Sequence, residues 1–144
     1  MNIVIGNDHG GLQLKESIVN HLKNQGFNIE NIGTDSPTSV DYPIYAKQVC
    51  DKVNLEKGTL GILCCGTGIG MSIAANKQEG IRASVVTDTF SAQATREHNN
   101  SNVLCLGQRV IGEGLALKIV DTWLGSDYQG GRHDKRIELF ENKF

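Results

Sequence analysis

The chain lacks the marks of several common protein classes. It has no basic excess: 14 Lys and Arg stand against 16 Asp and Glu, so no cationic footprint exists and a nucleic-acid partner is not expected. It has no apolar run near the length of a bilayer span, so no membrane partner is expected either. It has no export signal. Its four cysteines therefore read as thiols of a reducing cytoplasm rather than as a disulfide framework. No CxxC pair is present, so a structural zinc site is not expected. Repeats, low-complexity segments and linkers are missing too, and 144 residues suit one domain, 1–144, with a real core.

Two phosphate-binding signatures are also absent. Nothing matches the Gly-Lys-Ser/Thr end of a P-loop. The dinucleotide fingerprint would need a glycine where Met71 stands. Asp88 lies about where a ribose-binding acid would fall, but the fingerprint is incomplete, so no nicotinamide cofactor is expected.

What is present centres on Leu60-Gly61-Ile62-Leu63-Cys64-Cys65-Gly66-Thr67-Gly68-Ile69-Gly70-Met71. A short apolar run reads as a buried strand. Three alternate glycines follow, and then the start of a helix. The first N–H groups of a helix have no internal partner, and its macrodipole adds about half a positive charge there. Strand, glycine turn and helix N-terminus together make an anion cradle that the backbone can bring close to a ligand. Cys65 is the last residue before it. An ordinary thiol is only about 3 % ionised at pH 7, and raising that to about half takes roughly 2 kcal/mol, which such a terminus can supply. Cys65 is thus placed to act as base or nucleophile. The alternative is an inert cysteine closing a strand. Cys64 should face the other side of the strand, and Cys50 and Cys105 belong to apolar periodic segments of the core.

Along the chain, strands are expected at Ile3–Ile5, Phe27–Ile32, Leu60–Cys65, Ile81–Val86 and Val103–Leu106. Helices are expected between them. One carries Leu12, Leu14, Ile18, Val19 and Leu22, and one starts at Pro43. Another spans about Thr89–Glu97 with Phe90, Ala92 and Ala94 inward. The last two carry Leu115 to Leu124 and His133 to Asn142. The stretch from Thr34 to Tyr42 is polar and turn-rich. This alternation predicts an α/β three-layer sandwich, Rossmann- or flavodoxin-like, with a five-stranded parallel sheet in the order 2-1-3-4-5. That order places the ends of strands one and three side by side. Topology alone then gathers Asp8, His9 and the Gly66–Gly70 loop at the switch point.

Other polar residues have weaker claims. His98, in Arg96-Glu97-His98-Asn99, can shuttle a proton near neutral pH. It precedes strand five, so it should lie at the far end of the sheet from Cys65. A catalytic His98 would then come from a second subunit, in a two-fold dimer. Otherwise the segment is a solvated loop. Arg109 follows strand five, at the ligand end, unless it is an ordinary surface charge. Arg132 and Arg136, four apart, share a helix face and suit a phosphate, or else form a solvated basic face.

Together, Asn7-Asp8-His9-Gly10-Gly11, Asp41-Tyr42-Pro43, Cys65-Gly66-Thr67-Gly68-Ile69-Gly70, Ser72-Ile73-Ala74-Ala75-Asn76-Lys77, Gly80-Ile81-Arg82-Ala83, Arg96-Glu97-His98-Asn99 and Gly130-Gly131-Arg132-His133 resemble the type B ribose-5-phosphate isomerases. The wider family includes galactose-6-phosphate isomerase subunits. The resemblance runs from Asn2 to about Arg136 and implies a phosphorylated pentose substrate. It also implies a homodimer, or a tetramer, with sites shared across the interface, and no metal or organic cofactor. By resemblance, Cys65 is the base between C1 and C2, and Thr67 steers the transferred proton. Gly66, Gly68, Ile69 and Gly70 hold the enediolate by their N–H groups, and His98 opens the furanose. Asp8 and Asn99 bind sugar hydroxyls or the ring oxygen, and His9, Arg109, Arg132 and Arg136 take the phosphate. Such a reaction needs one base and preorganised donors at a developing oxyanion. Open alternatives are a six-carbon substrate such as allose or galactose 6-phosphate, a phosphate-binding module without turnover, and a subunit active only in a mixed complex.

Overall fold

The computed structural model describes residues 1–142. The strands are β1 (Asn2–Asn7), β2 (Asn28–Asn31), β3 (Leu60–Cys65), β4 (Ala83–Val85) and β5 (Val103–Gly107). The helices are α1 (Leu12–Asn24), α2 (Tyr42–Leu55), α3 (Ile69–Asn76), α4 (Thr89–Asn99), α5 (Glu113–Leu124) and α6 (Arg132–Glu141), with a 3-10 turn at His9–Gly11 leading into α1. All strand pairs are parallel. The result is the expected flavodoxin-like α/β sandwich.

The side-chain alternation of the strands sorts the core into two layers. Ile3, Ile5, Ile62, Cys64, Leu104 and Leu106 pack with residues of α1, α4 and α5, among them Ile18, Leu22, Ala92 and Trp123. Val4, Leu63, Cys65, Val103 and Cys105 pack with Ala46, Val49 and Cys50 of α2 and Met71 and Ala75 of α3. Cys64 and Cys65 therefore do face opposite ways, and Cys50 and Cys105 are core. Burial pushes the Cys50 thiol up to about 12, and raises Cys64 and Cys105 further.

The sheet order is 2-1-3-5-4, not 2-1-3-4-5. The physical reason lies in the last two strands. Every residue of β5 is buried, which suits a strand flanked on both sides. β4 is three residues long and only half-buried, which suits an edge. The exchange leaves the β1–β3 pairing intact, with Ile5 opposite Ile62 and Asn7 opposite Cys64, so the switch point is where topology placed it. A second difference concerns α4. Its buried residues are Ala92 and Thr95, and Phe90 is 80 % exposed rather than inward. Ala92 is two positions on from Phe90, about 200° around a helix, so they cannot share a face. Leu115 is likewise exposed. Among the described residues, no helix is long and apolar enough to cross a membrane.

Candidate active site

The ends of β1 and β3 meet through backbone rather than side chains. Asp8 N–H donates to the Cys64 carbonyl at 3.2 Å. A Cβ on Gly11 would stand 2.4 Å from the Cys64 carbonyl carbon, and one on Gly10 would stand 3.2 Å from the Gly66 nitrogen. Side chains at either place would force the 9–11 turn off the end of β3. Asp8 is buried, and its Oδ1 accepts the Gly10 N–H at 2.9 Å, capping the turn. Its Oδ2 has no partner among the described residues. His9 is half-buried, and its Nδ1 accepts the Val40 N–H at 3.2 Å. A neutral ring so held carries its proton on Nε2.

Past Cys65 the chain turns sharply. Gly68 sits at φ +78, the left-handed region that favours glycine, and becomes the N-cap of α3. A Cβ there would also come within 3.0 Å of the Leu106 backbone. This turn folds the Gly68 N–H back onto the Cys65 sulfur, 3.0 Å away. The Ile69 N–H goes to the Thr67 hydroxyl oxygen at 3.2 Å, leaving the Thr67 O–H free to donate elsewhere. Of the loop amides, those of Gly66, Thr67, Gly70 and Met71 have no partner among the described residues. Two of the donors expected for an oxyanion are thus already engaged, Gly68 with sulfur and Ile69 with Thr67. Gly66 and Gly70 remain, and the Thr67 and Met71 amides join them.

Cys65 is 5 % exposed, while Gly66 and Gly70 of the loop after it are half-buried and Thr67 and Ile69 are exposed. Arg109 follows β5, donates its N–H to the Gly66 carbonyl at 3.0 Å, and lays its guanidinium over Gly66, where a Cβ would meet Nη1 at 3.3 Å. The Tyr42 ring covers Gly70, within 2.9 Å of where a Cβ would be. The sequence pattern gives Tyr42 no role. The signal lies in the glycine it packs on, which names no partner.

The remaining candidates gather elsewhere. His98 lies in the last turn of α4 and stacks on His133 of α6, ring centroids 4.5 Å apart and planes 16° from parallel. Arg132 and Arg136 are both exposed on α6. Asn99 lines a cavity of about 650 Å³ together with Asn76–Ser84, Phe140 and Glu141. α3 and α4 both start at the ligand end of the sheet and run away from it. Within one chain, then, Asp8, His9, Cys65–Gly70 and Arg109 come together at one end, and His98, Asn99, Arg132 and Arg136 do not join them. The Arg96–Asn99 segment is not a solvated loop. Arg96 is half-buried over the Trp123 ring, 5.7 Å from its centroid, and burial lowers its guanidinium below the usual range. Among the described residues, no group of three or more His, Cys, Asp or Glu could hold a metal ion.

Fold and site define a class: a flavodoxin-like α/β protein with a thiol and free amides at its switch point. Comparison with known proteins narrows it. Residues 3–140 match the family model described as Ribose/Galactose Isomerase. Ribose-5-phosphate isomerase B of Escherichia coli K12 is 52% identical over 136 residues, covering 94% of this chain and 91% of that protein. The solved ribose-5-phosphate isomerase B of Clostridium thermocellum superposes with a TM-score of 0.96 at 49% identity, covering 99% of this chain and 96% of that one. That of Mycoplasma genitalium, with bound ribulose-5-phosphate, gives 0.93 at 44% identity over 98% and 94%. The chain belongs to the ribose/galactose isomerase family.

Proposed function

We propose that this protein interconverts ribose 5-phosphate and ribulose 5-phosphate through an enediolate. The observation that carries the reading is the Gly68 N–H on the Cys65 sulfur beneath a loop of unpaired amides. It is supported by the relatives named ribose-5-phosphate isomerase B and by the one solved with ribulose-5-phosphate.

Cys65 as thiolate removes the C2 proton of the open-chain aldose. The electron pair moves into a C1–C2 double bond, and the carbonyl oxygen becomes an oxyanion. The Gly66, Thr67, Gly70 and Met71 amides face that charge without reorganising, and losing one such donor typically costs about 10²–10³ in rate. The Thr67 hydroxyl, its oxygen already accepting from Ile69, supplies a donor for moving the hydroxyl proton between O1 and O2. The Cys65 thiol then returns its proton to C1. His98 acts as the acid that frees the furanose oxygen, and Asp8 and Asn99 hold the sugar hydroxyls or the ring oxygen. His9, Arg109, Arg132 and Arg136 take the phosphate, and that remote binding energy holds C1 and C2 against the sulfur.

His98, Asn99, Arg132 and Arg136 reach the site from a second copy, so the working unit is a homodimer. Ile69 and Ile73 support this: one turn apart on α3 beside the loop, each is more than half exposed. The protein works in the cytoplasm, a reading supported by its four cysteines, all free thiols. Turnover of ribose 5-phosphate in the presence of a chelator, abolished by alkylating a single thiol, is the expected result. A purified protein that binds phosphate but turns over no five- or six-carbon sugar phosphate would refute it.

A further inference from the structure

Lys15 is a lysine inside the protein. Its side chain is 1% exposed, although it lies on α1 between core residues and surface ones. Its ammonium donates to the Thr34 carbonyl at 3.1 Å and to Asn31 Oδ1 at 3.4 Å, and it forms an ion pair with Asp35. None of these partners belongs to the catalytic loop. Asn31 ends β2, and Thr34 and Asp35 belong to the segment that leaves it and crosses to α2. The same Thr34 carbonyl also accepts from the Asn7 side chain at 3.0 Å. Asn7 sits wholly buried just before Asp8, and Gly33 packs so closely on its Oδ1 that no side chain fits there. The near end of the 32–41 segment is therefore clamped. Ser36 and Thr38 bond within the segment. Its far end makes one polar tie to the site, the Val40 N–H to His9 Nδ1.

Stability alone does not call for this arrangement. Removing one partner of a buried ion pair is costly when the other charge is left stranded in the interior. Here the other charge is not stranded: the Asp35 side chain is 75% exposed. The Thr34 carbonyl would keep Asn7. A methionine of similar length would fill the space without a charge to desolvate. The Thr34 N–H also reaches the Asn7 carbonyl at 3.4 Å and the Asn31 amide donates to Asp35 at 3.1 Å, and what the ammonium adds is direction. It gathers a carbonyl, an amide oxygen and a carboxylate around one point and so sets the path of the segment.

We propose that Lys15 is a positioning residue for His9: it fixes the 32–41 segment so that Val40 holds the His9 ring with Nε2 as its donor. This rests on the reading of His9 as a phosphate ligand. A ring held in one tautomer meets the phosphate with an N–H already in place, whereas a free ring divides between two tautomers and many orientations.

The test uses Lys15→Met and Asp35→Ala. In wild-type protein at about pH 8, the nitrogen shifts of the His9 ring, assigned against His9→Gln, should report one tautomer protonated on Nε2. In Lys15→Met the shifts should move to the averaged values of a free imidazole. KM for ribose 5-phosphate and Kd for inorganic phosphate should both rise about tenfold, with kcat within about threefold, the pattern of lost uniform binding. Asp35→Ala, at an exposed position that does not threaten folding, should move the same readouts in the same direction by less. If Lys15→Met does not fold, Asp35→Ala decides. Unchanged His9 shifts and unchanged KM in the folded variants would overturn the proposal. A wild type that shows the single tautomer but neither binds phosphate nor turns over the sugar would instead overturn the isomerase reading.

Discussion

The Gly68 N–H lies 3.0 Å from the Cys65 sulfur, three residues back along the chain. The contact exists because Gly68 adopts a left-handed conformation between β3 and α3. One residue thus shapes the turn, caps the helix and serves the sulfur. Gly68→Ala should strain the turn by about 1–2 kcal/mol, since its Cβ would also press on Leu106. The melting temperature should fall by several degrees, and kcat should fall about 10²-fold as the amide leaves the sulfur. Calorimetry and steady-state kinetics read both.

Gly66 tests the loop without that strain. The three atoms nearest a Cβ there all belong to the flexible Arg109 side chain, Nη1 at 3.3 Å, Cδ at 3.4 Å and Cζ at 3.5 Å. Gly66→Ala should melt close to wild type. Displacing the guanidinium should raise KM for ribose 5-phosphate severalfold more than it lowers kcat.

The two halves of the site call for subunit mixing. Cys65→Ala and His98→Asn should each fail alone to turn over cyclic ribose 5-phosphate. In a two-fold dimer with shared sites, mixing them regenerates one intact site per hybrid, about a quarter of wild-type activity at random exchange. No recovery after proven exchange would place His98 outside the site.

The stacked imidazoles predict a pH effect on stability. Burial holds His133 below the ordinary histidine value, and His98, Arg132 and Arg136 push the same way, with Asp134 opposing. The native state therefore binds fewer protons than the unfolded chain. Its stability is full above about pH 6.5 and is lost as pH falls through the lowered value. Melting temperature should decline from about pH 7 to pH 5, and His133→Asn should flatten that decline. Asp35, held below the usual carboxylate range chiefly by its hydrogen bond from Lys15, contributes in the same direction at lower pH, below its ordinary value near 3.8.

Much of this was legible before the structure. β1, β3 and the glycine turn stand out by short apolar runs ending in glycine, and crossover handedness leaves few ways to arrange them. The β4–β5 exchange was legible too, since Val103-Leu104-Cys105-Leu106 is wholly apolar whereas Ser84 interrupts β4, but a common strand order outweighed it. Phe90 runs against expectation because a large apolar side chain on a helix favours the interior, whereas its offset of about 200° from the buried Ala92 turns it outward. Arg96 and Lys15 could not be found. A charged residue on a helix reads as solvated, and the partners that bury it, Trp123 and Thr34, are distant in sequence. Tyr42 is the same case, since its ring packs on a glycine.

The central claim is that the Cys65 sulfur moves a carbon-bound proton. Its most direct test follows deuterium from solvent into C1 of ribulose 5-phosphate. Cys65→Ala, folded and still binding inorganic phosphate, should show no exchange above the uncatalysed rate, while His98→Asn should keep exchanging because the ketose needs no ring opening. Exchange by Cys65→Ala within about tenfold of wild type would contradict the account, because loss of a true base costs about 10²–10⁴.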